Sequence, residues 1–364
     1  MEFDAIYDSF LREENEFSKF VDRYRDSNKK IFLFGAGLCG NIYVELFARY
    51  RIPLAGVVDS FKDTIKGMPV LRMEQVAKEY DLAECIFVIS APKSQKQILG
   101  ILSQYVGASQ IYSFAITRYT FPHNELALAK KHLMEHKEQY SEVYNLLADD
   151  QSRYVMEKVL RGRMSARYSD FEDARTEEFY YPSDLFTFGD DEVMVELGSN
   201  DGETLQEFIE CCPNFKRAYC FEADKVCIGQ LNKLTKSYGD RIKIIPKIAW
   251  DQHETLEFAC NNGDGSSKVT TQGIGDLLET ALVDEEVTEK ISYMKMDIEG
   301  SEMRALRGAK RQIQQNKPRL AVSVYHRNED IVDIPQYLLS LRPDYRIYLR
   351  HHGWDDSDTV LYAL

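Results

Sequence analysis

The sequence predicts two α/β units, each built on a mostly parallel, doubly wound sheet. Three observations predict them. Two short apolar runs, Ile31–Phe34 and Val193–Val195, each lead into a glycine turn and then into helical periodicity. Further apolar runs alternate with helical stretches, the order that parallel sheets require. The chain of 364 residues exceeds one ordinary core and suits two domains with connections.

Composition narrows the function classes. Apolar residues make up 44% of the chain, enough for globular folding throughout. A net charge of -14 argues against nucleic acid or an anionic membrane as partner. No run approaches the ~18 apolar residues of a membrane span, and the opening MEFDAIYDSFLREE is too acidic for a signal peptide. The 7 cysteines contain no C-x-x-C pair and read as reduced core residues of a cytoplasmic protein.

In chain order, Ile6, Phe10, Phe17, Val21 and Tyr24 predict one amphipathic helix over 3–26, within an N-terminal segment 1–28. Ile31–Phe34 is a buried strand, Gly35-Ala36-Gly37-Leu38-Cys39-Gly40 its turn, and Ile42, Leu46 and Tyr50 mark the next helix. A second strand, Ala55–Val58, closes on Asp59, roughly twenty residues past the turn, where the dinucleotide fingerprint places a ribose acceptor. No carboxylate lies between Gly35 and Gly40, so a phosphate would be tolerated. Gly35, Gly37, Gly40 and Asp59 are therefore the expected site of a nucleotide or nucleotide-sugar. The bland alternative is that the glycines serve only a tight turn and close helix packing. A strand over Ile86–Ser90, a helix over 93–105 and a strand near Ile111–Phe114 complete a Rossmann-like unit of residues 29–120.

Residues 121–165 read as a helical connector, with Leu126, Leu133, Val143, Leu147, Met156 and Leu160 on its apolar face. The aromatic stretch Arg161–Asp191 is either a lid or a packed entry segment, and packing is the simpler reading.

The second domain, 166–364, is organised by Val193–Glu203. After the turn Gly198-Ser199-Asn200-Asp201-Gly202, Leu205, Phe208, Ile209 and Cys212 fall on one helix face. Glu196, Asp201 and Glu203 would repel a diphosphate. They suit a ligand with a cationic centre, an ammonium and ribose hydroxyls. S-adenosylmethionine has all three; the competing reading is an acid-rich strand end with no ligand. The next strand, Arg217–Phe221, ends on Glu222, placed to accept from both ribose hydroxyls. The third strand runs through Ile242–Ile245 and Lys247–Trp250, and Ala249 with Trp250 would border an adenine ring. Leu256–Phe258 begins an edge or hairpin, and Asn261–Ser267 is a loop. Ser292–Met296 ends in Asp297-Ile298-Glu299-Gly300, and Arg319–Tyr325 ends at His326. Tyr345–Leu349 and Thr359–Ala363 close the sheet as an antiparallel pair around Arg350–Trp354.

The series VELGSNDGET, CFEAD, YMKMDIEGSEMRALRGA and SVYHRNEDIVDIP, closed by YLRHH and TVLYA, resembles the FkbM-type family of S-adenosylmethionine-dependent methyltransferases from about Tyr180 to Leu364. The resemblance implies a class I methyltransferase fold that O-methylates a sugar, a glycan or a natural-product hydroxyl, releasing S-adenosylhomocysteine. Glu196 stands where many members carry Asp, and the longer carboxylate reaches the same place. Carried over residue by residue, Glu196, Gly198, Ser199, Asn200, Asp201 and Gly202 would line the methionine and ribose part of the donor. Glu222 and Ala223 would hold the ribose, Ala249 and Trp250 would flank the adenine, and Asp297 would lie near the transferred methyl. GAGLCG, VVDS and KGMPV give the N-terminal unit a resemblance to the Rossmann-like domain of bacterial sugar acyltransferases, which receives a nucleotide-sugar.

An alcohol acceptor must lose a proton. His326, at a strand end, is the candidate base as a neutral imidazole near pH 7, with Asp297 or Glu299 orienting it. A structural histidine is the alternative. His351 and His352 read as an exposed loop pair. Asp297, Glu299 and a histidine could gather a divalent cation, but nothing in the spacing demands one and none is assumed. The expected partner is a small-molecule or glycan acceptor, and a homo-oligomer is compatible with the sequence. Two other classes compete. A nicotinamide-dependent oxidoreductase using Gly35–Gly40 lacks an evident acid–base partner in its half-domain. A non-catalytic nucleotide-binding module leaves the acidic strand ends Glu196, Glu222 and Asp297 without a purpose.

Overall fold

A computed structural model describes residues 3–115, 125–260 and 266–364. The expected start of the connector, 121–124, and loop positions 261–265 lie outside them. Two compact units divide the chain. One comprises Met1–Lys137, Met156–Arg175 and Gly353–Ser357; the other comprises Glu138–Val155, Thr176–His352 and Asp358–Leu364. The connector segment is helical, over Glu125–Glu135, Lys137–Leu146 and Asp150–Ser165, and its residues are shared out between the two units. Among the described residues no helix is long and apolar enough to cross a membrane.

In the first unit, β1 (Lys30–Phe34), β2 (Leu54–Val58), β3 (Thr64–Ile65), β4 (Met68–Leu71), β5 (Cys85–Ile89) and β6 (Ile111–Tyr112) form a sheet in the order β3-β4-β2-β1-β5-β6. All pairings are parallel except the β3–β4 hairpin. β5 is buried along its whole length, which a run without a polar residue, CIFVI, allows. The helix expected over 3–26 is two helices, Phe3–Arg12 and Glu16–Tyr24. Asn15 divides them: its side-chain oxygen accepts from the Ser18 amide at 3.0 Å and caps the second helix, an arrangement worth ~1 kcal/mol. Phe17, Phe20, Val21 and Tyr24 then pack with Ile31, Leu33 and Phe47, so the N-terminal segment is part of this unit's core.

In the second unit the strands are β7 (Val193–Leu197), β8 (Arg217–Phe221), β9 (Ile242–Ile245), β10 (Ile248–Ala249), β11 (Thr255–Ala259), β12 (Lys268–Val269), β13 (Asp276–Ala281), β14 (Tyr293–Met296), β15 (Arg319–Ser323), β16 (Ile347–His351) and β17 (Thr359–Ala363). Seven of them form the main sheet, in the order β16-β17-β15-β14-β7-β8-β9. Strand order reverses on either side of β7, and a doubly wound sheet opens its ligand crevice at the carboxyl end of such a point. The expected third strand splits: β10 leaves the main sheet after Pro246 and pairs with β13 in a smaller sheet, β10-β13-β11-β12. Proline has no amide to continue the ladder. The aromatic entry segment packs, as the simpler reading holds. Tyr180 and Phe188 join the core of β7 and β14, with Phe188 edge-on to Tyr293 at 5.2 Å. Fully burying such a ring contributes roughly 1.5–3 kcal/mol, and the half-buried Phe188 less.

Candidate active site

The turn after β7 is built for close approach. Gly198 has φ +78, and a Cβ there would lie 2.0 Å from the Asp297 carbonyl oxygen, so only glycine lets the ends of β7 and β14 meet. From the end of β8, Glu222 reaches back over the turn. Its Oε2 accepts from the Asn200 amide at 2.8 Å, and its Oε1 accepts from Ala223 at 2.7 Å and Asp224 at 2.8 Å. Burial nevertheless pushes the Glu222 carboxyl up, against those three amides. Asp224 caps the following helix through the Val226 amide and receives the Ser267 hydroxyl at 2.8 Å.

These groups border a cleft of about 620 Å³. One wall is apolar, made by Ala223, Ile248, Ala249, Phe258 and Val269. Among the described residues the charged lining is four carboxylates, Glu222, Asp224, Asp297 and Glu299, against one ammonium, Lys247. Lys247 is itself paired with Glu286 at 3.1 Å. The cleft is thus an acidic basin with a greasy side, suited to a ligand with a flat apolar ring and a positive centre.

Of the sequence-predicted donor residues, Gly198, Asn200, Glu222, Ala223, Ala249 and Asp297 come together on this cleft. Glu196 does not reach its lining. It lies beneath the turn at 0% exposure, accepting from Thr204 Oγ1 at 2.6 Å and facing Lys295 Nζ at 3.7 Å. The register pairs Lys295 with Glu196 across β14 and β7, and Lys295 also donates to the Gly198 carbonyl at 2.7 Å. Glu196 therefore holds the lysine that holds the turn. Ser199 and Gly202 shape the same turn. The Asp201 carboxylate accepts from the Glu203 amide at 3.3 Å, away from the cleft lining. Trp250 packs behind the wall with Ile248 and Phe258, and the Arg304 guanidinium lies 5.2 Å from its ring.

At the other end of the cleft, Asp297 accepts from the Tyr180 hydroxyl at 2.6 Å and from Tyr325 at 3.2 Å. Tyr180 is a neutral donor, since burial and the Asp297 charge hold its phenol well above its ordinary value. His326 Nε2 lies 3.5 Å from Asp297 and 3.6 Å from Glu299, while Nδ1 bonds Glu302 at 2.9 Å. One expectation is corrected here. His326 is not a neutral imidazole near pH 7: burial pulls its pKa down, but Glu302, Asp297 and Glu299 together raise it to about 9. Burial also raises the Glu299 carboxyl.

The donor atoms of Asp297, Glu302 and His326 lie within 4.8 Å of one another, close enough to gather a cation. A protonated His326 would place a positive charge among the same carboxylates. A second correction concerns His351 and His352. Both are buried, not exposed: His351 lies on β16 against Thr359 Oγ1 at 2.9 Å, and His352 against the Tyr362 hydroxyl at 3.2 Å.

Residues 196–347 match the model of the methyltransferase FkbM domain. That stretch is similar to the methyltransferase FkbM domain. The match runs from Glu196 at the organising turn to Ile347 on β16, and so includes Glu222, Asp297, Glu299, Glu302 and His326. Over the whole chain the fold is similar to that of the methyltransferase FkbM from Methylobacillus flagellatus KT, with a TM-score of 0.75 and 23% identity, covering 100% of this chain and 98% of that one. A rRNA methylase from Streptococcus thermophilus is similar over 48% of this chain and 86% of its own, with a TM-score of 0.32 and 15% identity. No curated protein matches the sequence.

Outside residues 196–347, the first glycine turn is met by Asp59 from the end of β2. Asp59 Oδ2 accepts from the Ala36 amide at 2.8 Å, and Oδ1 from Phe61 at 2.8 Å and Lys62 at 3.0 Å. Asp355, from the Gly353–Ser357 segment of the same unit, acts after burial to raise the Cys39 thiol. Gly35 and Gly40 have packing reasons, with Cβ positions 2.8 Å from Ala91 Cβ and 2.2 Å from the Gly35 carbonyl oxygen. A Cβ on Gly37 would meet nothing within 4 Å. Asp59 thus lies beside the turn as expected, with both carboxylate oxygens engaged by amides of its own unit.

Sequence reasoning passed over Tyr180, Asp224, Lys295, Glu302 and Tyr325 as site residues. Glu302 had a signal, an acid in the first helical turn after Glu299-Gly300. The tyrosines had none, because both are bulky aromatics in stretches already accounted for by packing.

Proposed function

We propose that the FkbM-like domain binds S-adenosylmethionine in this cleft and O-methylates a hydroxyl of a saccharide, a nucleotide-linked sugar or a natural product. The observation that carries the reading is, among the described residues, the lining of four carboxylates against a single, already paired ammonium. A phosphate-bearing cofactor would meet repulsion there, whereas a cationic one gains. The apolar wall of Ala223, Ile248 and Ala249 suits an adenine, and Glu222 suits ribose hydroxyls, whose donors would offset the burial that raises its carboxyl. When bound, that donor supplies a methyl group on a positively charged sulfur.

The chain's own contribution is alignment and proton management. Aligning acceptor with donor supplies much of the rate, and a positioned base adds ~10²–10⁴-fold. Asp297, fixed by Tyr180 and Tyr325, and Glu299 are carboxylates beside His326 Nε2. His326 can take the acceptor's proton only after losing its own, so its basic fraction grows as pH rises toward about 9. Turnover should therefore climb with pH across the neutral range and level off near that value.

The test is calorimetric titration of the full chain with S-adenosylmethionine, followed by turnover against pH for the wild type and His326→Gln. Donor affinity should survive the substitution, and the rising limb should vanish. Lack of donor binding by the wild type would end the proposal. An unchanged limb would remove His326 as the base. The acceptor class is supported only by the family, and a screen of hydroxylated acceptors for S-adenosylhomocysteine release addresses it.

A further inference from the structure

Behind the cleft, one carboxylate ties the whole acid–base cluster together. Glu302 opens the helix Glu302–Gly308, is fully buried and lies outside the cleft lining. Its Oε1 is a shared acceptor. It takes the Ile298 amide at 3.0 Å and the Gly300 amide at 3.4 Å, and it faces His326 Nδ1 at 2.9 Å. The two amides flank Glu299 and follow directly on Asp297, in a turn where Glu299 adopts φ +55. A single oxygen therefore fixes the turn that presents both carboxylates and the ring that stands between them.

We propose that Glu302 is the positioning residue of the proposed transfer centre, holding His326 with a proton on Nδ1 and Nε2 turned toward Asp297 and Glu299. This rests on the methyltransferase reading of the cleft. The two imidazole nitrogens then have separate duties: Nδ1–H is spent on Glu302, and Nε2 is the atom that exchanges protons beside the cleft. The arrangement is the histidine–carboxylate pairing by which a buried acid sets a tautomer and a ring orientation.

The other groups around His326 are consistent with this division. Asp330 accepts from the Arg327 amide at 3.0 Å, and burial together with the Glu302 charge pushes its carboxyl up to about 7. The Tyr325 ring lies 4.1 Å from the imidazole, centroid to centroid. The Arg327 side chain lies over Gly300, with Nε 3.2 Å from the position of a Cβ there. Glu302 bonds both the ring and the turn.

The test uses the full chain labelled with ¹⁵N-histidine, the His326 resonances being assigned by their loss in His326→Gln. In the wild type above its titration midpoint, long-range ¹H–¹⁵N correlations should show the Nδ1–H tautomer; an Nε2–H tautomer overturns the proposal without any variant. Glu302→Gln keeps an oxygen for the two amides and removes the charge. It should lower the His326 midpoint by about one pH unit or more. The rising limb of the kcat–pH profile should move down with it, and the plateau should drop about tenfold or more. Glu302→Asp, which keeps the charge, should restore most of the midpoint. S-adenosylmethionine affinity should stay within about threefold, because Glu302 does not line the cleft. An unchanged midpoint and tautomer in Glu302→Gln would overturn the assignment. Absence of donor binding by the wild type would instead defeat the functional reading while leaving the histidine measurement intact.

Discussion

Both sheets begin with the same device. After the first parallel strand comes a glycine turn, and from the end of the next strand an acid reaches back to accept an amide of that turn. In the first unit Asp59 takes the Ala36 amide at 2.8 Å; in the second Glu222 takes the Asn200 amide at 2.8 Å. The local chemistry is alike, yet the two carboxyls are pushed opposite ways. Burial raises Asp59, but the amides of Lys62, Ala36 and Phe61, with the Arg72 guanidinium, outweigh it and bring the group below its usual value. Glu222 has three amides too, but burial wins and the group sits above. The first carboxylate is satisfied by its own turn. The second is the more deeply buried and keeps a net desolvation cost, a perturbation that marks a candidate binding group. A glycine turn with an acid opposite is thus a fold element first, and becomes a binding site only where other walls enclose it.

The largest effect should come from removing the two acids. Glu222→Ala strips three buried amides of their acceptor and takes a carboxylate from the cleft, so S-adenosylmethionine affinity should fall about 100-fold or more. Asp59→Ala should leave that affinity unchanged and lower stability by about 1–3 kcal/mol. Calorimetry and denaturant titration on both variants read the contrast directly. Equal losses of donor affinity would abolish it.

A smaller effect distinguishes the glycines. Gly198→Ala forces a Cβ into the Asp297 carbonyl at φ +78, with a cost of about 2–4 kcal/mol and loss of the cleft geometry. Gly37→Ala meets open space at a negative φ and should stay within about 1 kcal/mol, with turnover unchanged. Thermal melts of the pair suffice. A Gly37→Ala defect as large as that of Gly198→Ala would mean that something in solution approaches Gly37 closely, and would revive the case for a ligand at the first turn.

The sequence made the frame of the site legible because that frame is local. Val193–Leu197, its turn, and Glu222 and Asp297 at strand ends are each set by a short pattern of apolar run and break. The rest depends on neighbours distant along the chain. DLLETA at Asp276–Ala281 has no strand alternation, and only its pairing with β10 and β11 makes it a strand. Glu196 reads as a ligand contact because the pattern reveals the strand end but not the Lys295 ammonium that the register sets beside it. Three carboxylates from two elements decide the protonation of His326, and no spacing rule announces them. The break at Asn15 was visible in Glu13-Glu14-Asn15, but the apolar spacing on either side masks it.

The smallest effect is the pH dependence of stability, and it bears on the same contrast. Asp59 is depressed, so its contribution is present above the unfolded aspartate value of about 3.9 and is lost as pH falls through its lower folded value. Glu222 is raised, so its contribution is present below the unfolded glutamate value of about 4.3 and is lost as pH rises through its higher folded value. The stability deficit of Asp59→Asn should accordingly be greatest near neutral pH and shrink in acid, while that of Glu222→Gln should be greatest in acid and shrink toward neutrality. Urea melts from about pH 3 to about pH 7 would show the two deficits crossing. Saturating donor should then reopen the Glu222→Gln deficit at neutral pH, because wild type gains RT ln(1 + [L]/Kd) and the variant gains less. Deficits that run in the same direction would mean that both carboxylates are satisfied by their own turns, and Glu222 would lose its claim as a candidate binding group.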